Sequence, residues 1–199
     1  MRNFAHPNYD KAMIDIIINQ TLSTLKSGGT ILYPTDTIWG IGCDATNAQA
    51  IEKIYSIKQR DINKSMLILC SSLGQVKEYV DSIPDIVPSL LSENKHPTTI
   101  IYPKACNLPN ALTAADGSIG IRIPDMDFCI KLLQQFGKPI VSTSANFSGT
   151  PSPNCYSDIP QTLIDMVDYA VPNLPIFESK NSSSKILKIE NNGNIITIR

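Results

Sequence analysis

The strongest constraint on the fold is an alternation of period. Segments with apolar residues at helical spacing take turns with short continuous apolar runs that close on proline, serine or glycine. In DKAMIDIIINQTLSTLKSGG, Met13, Ile14, Ile17, Ile18, Leu22 and Leu25 form one stripe, and Gly28-Gly29 supplies the stop. TILYP follows as a short buried strand ended by Pro34. Thr46 and Gln49 suggest a capping box for NAQAIEKIYSIK, and Ser71 or Ser72 suggests a cap for a helix after the strand SMLILC. Further strands are expected at TTIIYP, SIGIRIP and KPIVST, with helices at MDFCIKLLQQFG and around PQTLIDMV. The tail KILKIENNGNIITIR reads as a hairpin turning at Asn192-Gly193. SKNSSSK is polar and aperiodic, as expected of a mobile loop. The order implies an α/β or α+β domain with a mixed sheet.

The 199 residues suit one domain spanning 1–199, with enough chain to bury a core. Seventeen basic against eighteen acidic residues leave a net charge of -1, which argues against a general nucleic-acid coat. The five cysteines are isolated from one another and the only histidines are His6 and His96, so a zinc site is not expected. Unpaired cysteines without a signal peptide fit a reducing cytoplasm, and no apolar run approaches the roughly 18 residues that span a membrane.

Four stretches carry candidate chemistry. YPTDTIWGIG follows a strand, where α/β sheets bind ligands. If it stays extended, Thr35, Thr37 and Trp39 share one side and Asp36 and Ile38 the other, while Gly40 and Gly42 permit close backbone approach. The same stretch also reads as an ordinary loop with Trp39 in the core. Lys58, Arg60 and Lys64 gather at a helix C-terminus, either as a solvated cap of the helix dipole or as a polyphosphate clamp. In SIGIRIP, Ser118, Gly120 and Arg122 share a strand face; the arginine beside a bare glycine would suit a carboxylate, or an internal ion pair. PIVSTSANFSGTPSP offers hydroxyls, an amide and backbone N–H groups for an anion, or is a turn-rich connection. No GxSxG elbow or Ser–His pairing is present, so a hydrolase triad is not expected.

Together, YPTDTIWGIGCDA, IYSIKQR with Lys64, SIGIRIP and GKPIVSTSANFSG stand in the order and spacing of the YrdC family, which this chain resembles from about residue 15 to its end. The resemblance implies an α/β twisted open mixed sheet flanked by helices around a large concave cavity. It implies a threonylcarbamoyladenylate synthase, a nucleotidyltransferase that joins L-threonine, bicarbonate and ATP and releases pyrophosphate. The product serves threonylcarbamoyladenosine formation in tRNA, with a threonylcarbamoyl transferase as a transient partner. Adenylyl transfer of this kind needs positioning and charge stabilisation more than a covalent nucleophile.

By the same resemblance, Thr37 and Arg122 hold the threonine, with Arg122 on its carboxylate and Ser142 nearby. Lys58, Arg60 and Lys64 take the ATP phosphates, with Mg2+; Ser118, Ser144, Asn146 and Ser152 line the nucleotide side, and Arg199 closes it. No protein metal ligand and no catalytic base is implied. The chain departs from the family pattern at Asp61, where proline is usual, at Asn94-Lys95-His96-Pro97, at Trp39 in place of tyrosine, and at Ser183-Ser184. It ends at Arg199 without the second domain of longer members. Two other functions fit parts of the pattern. One is an RNA- or tRNA-binding relative without synthase activity, against which the near-zero charge and sparse aromatics count. The other is a carbamoyl-transfer relative of hydrogenase maturation proteins, whose zinc-finger and acylphosphatase regions have no counterpart here.

Overall fold

A computed structural model describes residues 11–62, 64–93, 96–177, 183–190 and 192–199. Helix α1 (Lys11–Lys26) runs along the predicted stripe, burying Ile17, Ile18, Leu22 and Leu25. Gly28 then takes a left-handed φ of 75° and ends it. Strand β1 (Ile31–Tyr33) stops at Pro34 as expected.

Strand β2 (Gly40–Gly42) was not anticipated, because Gly-Ile-Gly carries neither alternation nor β-branching at its ends. It forms because it lies between two partners, pairing antiparallel with β1 and with β6 (Ile140–Ser144). A Cβ on Gly42 would stand 2.4 Å from the Val141 carbonyl oxygen and 2.8 Å from the Tyr33 ring. The glycine therefore permits close approach of backbone to β6, where the sequence suggested close approach to a ligand.

Helix α2 (Ala48–Lys58) begins one residue later than the proposed box. Thr46 gives its hydroxyl to Asp44 Oδ1 at 2.6 Å, and Asn47 caps the helix by accepting from Ala50 N at 3.1 Å. It ends at Gln59, left-handed at φ 49°, with Arg60 N donating to Tyr55 O.

Strand β3 (Leu67–Leu69) leads into the short α3 (Leu73–Val76), capped by Ser72. Helix α4 (Ile86–Glu93) contains Pro88 and was not predicted; proline is tolerated there in the first turn. Strand β4 (Thr98–Tyr102), β5 (Ile119–Arg122), α5 (Asp127–Phe136), α6 (Gln161–Ile164), the unanticipated two-residue β7 (Tyr169–Ala170), and the hairpin β8 (Lys185–Ile189) and β9 (Ile195–Thr197) complete the order. Within SKNSSSK, residues 179–182 fall outside the described residues, as do Asn94 and Lys95.

The strands form one nine-stranded sheet among the described residues, ordered β7-β1-β2-β6-β3-β5-β4-β8-β9. The pairs β1/β7, β3/β5 and β4/β8 are parallel and the other five antiparallel, so the sheet is mixed, as anticipated. Helices α1 and α5 pack on each other and help bury a continuous core that includes Leu32, Ile41, Ile51, Ile68, Leu132 and Val141. No described helix is long and apolar enough to cross a membrane. The order brings β1, β2, β6, β3 and β5 side by side, so the four candidate stretches meet in the middle of the sheet.

A candidate ligand cleft at the sheet centre

The loop leaving β1 bends instead of staying extended, and its hydroxyls lock it. Thr35 Oγ1 donates to the Ile38 carbonyl at 2.7 Å and accepts from Thr37 N at 3.2 Å. Thr35 and Thr37 hydroxyls lie 2.8 Å apart. Thr35 has spent its one proton on Ile38, so Thr37 is the donor in that pair. The remaining acceptor capacity of Thr37 is thus available to the cleft it lines. Trp39 also lines it while only 3% exposed, with its ring edge-on to Tyr156 at 4.8 Å.

Asp36 turns the other way and pairs with Arg122 Nη1; both residues are nearly fully buried. Asp36 Oδ2 also accepts from Asp125 N at 3.2 Å. Arg122 lines the cleft from the end of β5, and its Nε is buried without a hydrogen-bond partner. Buried polar groups in folded proteins almost always have partners, and this N–H is an exception among the described residues. Gly120 contributes no space over the strand, since Leu67 and Thr99 side chains stand 3.4 and 3.5 Å from its absent Cβ.

Strand β6 supplies Ser142, Thr143 and Ser144 to the same cleft. Ser144 donates to Asn146 Oδ1 at 2.5 Å, and Asn146 Nδ2 donates to Thr150 O at 2.5 Å. Beneath this loop lies Lys58, 1% exposed, which donates to Ser144 O at 2.5 Å, Asn146 O at 2.7 Å and Asn146 Oδ1 at 3.3 Å. Its own carbonyl accepts from Ser148 N at 2.8 Å. The ammonium has three protons and three acceptors, and does not line the cleft. Burial, and secondarily the charge of Arg60, lowers its pKa to about 8.

Arg60 does line the cleft, steadied by Nε and Nη2 donating to the Lys64 and Ser65 carbonyls at 3.1 Å each. Arg199 enters from the tail, with Nε and Nη2 on the Ser184 carbonyl at 3.3 and 3.2 Å. Ser152, Ser183 and Ser184 complete that side.

Of the eleven residues the sequence singled out, Thr37, Arg60, Arg122, Ser142, Ser144, Ser152 and Arg199 meet around one space. Lys58 and Asn146 stand behind it. Lys64 is exposed and outside the lining. Ser118 is also outside; its hydroxyl goes to Asp116 Oδ1 at 2.5 Å. That bond, followed by the one from Lys188, holds the Asp116 carboxyl well below the usual range. Asp61 likewise lies outside the lining, although it stands beside Arg60 in sequence.

Sequence reasoning missed Asp36 as the partner of Arg122 and Thr35 as the lock on Thr37. The mirrored threonines of TDT were the available signal for the second; the first joins residues 86 apart and left none.

The cleft measures about 220 Å3, smaller than the large cavity the resemblance implies. Three arginines and a row of neutral hydroxyls line it, with no side-chain carboxylate among the described residues. No group of three His, Cys, Asp or Glu side chains among those residues could hold a metal ion. Such a surface suits an anion with several oxygens, beside an apolar wall of Ile38, Trp39, Met66 and Leu67.

The Sua5/YciO/YrdC family model, described as telomere recombination, matches residues 23–199. A threonylcarbamoyl-AMP synthase of Pseudoalteromonas translucida is 35% identical over 157 residues, 77% of this chain and 84% of that protein. Another, from Photobacterium profundum, is 38% identical over 137 residues, 67% of this chain and 74% of that protein. Among solved structures, P. abyssi Sua5 complexed with L-threonine matches with a TM-score of 0.82 at 22% identity, over 92% of this chain and 53% of that longer one; this likeness concerns the fold. The chain belongs to the Sua5/YciO/YrdC family.

Proposed function

We propose that the chain is a threonylcarbamoyl-AMP synthase, as its curated relatives are named. The observation that carries the reading is the meeting, in one cleft, of the Arg122 guanidinium with a Thr37 hydroxyl that has acceptor capacity to spare. An α-amino acid presents the complementary set: carboxylate oxygens for the arginine and N–H for the threonine.

The chemistry proceeds in two steps. The amine of L-threonine condenses with bicarbonate to give an N-carboxylate and water. One oxygen of that carbamate then attacks the α-phosphorus of ATP, the bond to the bridging oxygen breaks, and pyrophosphate leaves with the electron pair. Neither step forms a covalent bond to the protein. Arg122 holds the α-carboxylate, which keeps it from competing as nucleophile. Arg60 and Arg199 face the polyphosphate and offset charge developing on the leaving group. Ser142, Ser144 and Ser152 supply neutral donors and acceptors along the nucleotide. Lys58 and Asn146 set the course of the loop that follows Ser144.

Mg2+ would be carried by the ATP phosphates and water, since this ion keeps much of its hydration and the lining offers only neutral oxygens. When bound it would neutralise phosphate charge. The mixed anhydride product is labile, so a transferase acting on adenosine in tRNA, in the same cytoplasmic compartment, is its natural consumer. The RNA-module reading lacks a supporting feature here: the lining aromatic, Trp39, is buried and its edge is taken by Tyr156.

The direct test is mass analysis of the product. With ATP, bicarbonate and L-threonine the protein should yield a species of the mass of threonylcarbamoyl-AMP. Formation of AMP alone would overturn the assignment.

A further inference from the structure

We propose that Tyr156 is a positioning residue that ties the two sides of the cleft together: its ring holds Trp39, in the apolar wall, against the loop that brings Ser152 to the nucleotide side. The inference rests on the cleft being the synthase site.

Trp39 stands where the locked Thr35–Thr37 loop enters β2, and its carbonyl accepts from Ala145 N at 3.0 Å. That bond holds the backbone. The indole still turns about its own side-chain bonds, so its position depends on what packs against it. Among the described residues its aromatic contact is with Tyr156, at 4.8 Å between ring centroids and 71° between planes, an edge-to-face arrangement. Trp39 is nearly fully buried and yet lines the cleft. What it shows a ligand is therefore a narrow strip of surface, which a small rotation of the ring would move.

Tyr156 is itself presented by a preformed turn. It opens the short helical turn Tyr156–Asp158, in which Asp158 Oδ2 accepts from Asn154 N at 3.0 Å and from Cys155 N at 3.3 Å. Ser152, earlier in the same loop, lines the cleft. The chain leaving β6 is thus held at both ends. Lys58 grips it at Ser144 and Asn146, and Tyr156 seats it on Trp39. Tyr156 is absent from the cleft lining, so its effect passes through Trp39 and Ser152. Its hydroxyl makes no hydrogen bond among the described residues, which leaves the ring to carry the contact.

The test uses the fact that Trp39 is the only tryptophan of the chain, so its fluorescence reports this ring alone. Tyr156→Phe keeps the ring and should keep the emission, the substrate KM values and the preference for threonine over serine. Tyr156→Ala should shift the emission to the red as the indole meets water. It should also lower the threonine preference and raise ATP KM together, each by about 2–10-fold, the worth of one edge-to-face aromatic pair. A purely structural role would lower the melting temperature and leave the preference intact.

A folded Tyr156→Ala with wild-type emission, preference and ATP KM would overturn the proposal. A change confined to one substrate would do so as well, because the tie spans both sides. So would a Tyr156→Phe that behaves like Tyr156→Ala. Should Tyr156→Ala not fold, Tyr156→Leu fills the space without an aromatic edge and decides by the same measurements. If wild-type protein forms no threonylcarbamoyl-AMP, the functional reading fails, while the emission shift still tests the hold of Tyr156 on Trp39.

Discussion

Lys58 and Asn146 are joined twice by one ammonium group, which donates to both the backbone carbonyl and the side-chain oxygen of the asparagine. A third bond reaches Ser144 O, so the last residue of α2 fixes the exit of β6. The lysine that the family resemblance makes a phosphate ligand is in this structure the support of the loop that leaves Ser144.

Lys58→Met should therefore destabilise the fold by about 2–4 kcal/mol, because it leaves several buried acceptors unpaired. Urea denaturation measures this. ATP affinity should fall as well, through the loop, while its salt dependence stays close to wild type; a lost phosphate contact would instead flatten that dependence.

The pH response of the same residue has a definite sign. Lys58 has a pKa of about 8 when folded and the ordinary 10.5 when unfolded. Between those values the unfolded chain binds more protons, so this group makes stability rise with pH across the window. The buried thiols of Cys43 and Cys129 are pushed up by desolvation and act in the opposite direction there. The comparison is thus wild type against Lys58→Met: the wild-type advantage should grow between pH 7.5 and 9.5. A constant or shrinking difference in urea midpoint contradicts the assignment.

Gly42→Ala should cost about 1–3 kcal/mol or more, the range for overpacking, since its Cβ would meet Val141 O at 2.4 Å. Gly120→Ala is the control. There the nearest atoms lie at ordinary contact distance, 3.4 Å and beyond, and the change should fall within about 0.5 kcal/mol. Thermal or chemical melts of the two variants decide it.

Much of this architecture was legible from local pattern. Strand β1 is a continuous apolar run, β4, β5 and β6 hold β-branched or alternating residues between clear stops, and α1 and α5 carry one stripe each. Strand β2 was not legible, because two glycines acquire strand character only from neighbours on both sides. Tyr169-Ala170 is too short to show a period. At the site, residue types gave the arginines and hydroxyls, but not which of them face the ligand. Lys58 and Arg60 lie two apart, yet one is consumed by carbonyls and the other lines the cleft. The Asp36–Arg122 pair joins the loop after β1 to the end of β5, two strands that three others separate in the sheet, and nothing local announces it.

Arg122→Lys should raise threonine KM by an amount worth roughly 1–3 kcal/mol, the scale of a charge-assisted hydrogen bond. Lysine keeps the charge and can still face Asp36, but lacks the planar fork of guanidinium donors. Steady-state kinetics in threonine would show this, and unaltered threonine kinetics would remove Arg122 from the site.

Serine should replace threonine poorly yet measurably. The cleft wall of Ile38, Trp39, Met66 and Leu67 can contact a methyl group, and one methyl gives only about 10–200-fold discrimination. Competition between the two amino acids measures the ratio; equal use of serine would mean that the methyl faces no wall.

The central claim is tested most directly by pyrophosphate release with each component left out in turn. The carbamate is the nucleophile, so omitting bicarbonate removes the attacking oxygen and omitting L-threonine removes its precursor. Pyrophosphate should be released from ATP only when both are present. Release that is indifferent to threonine, or none from folded protein that binds ATP, would contradict it.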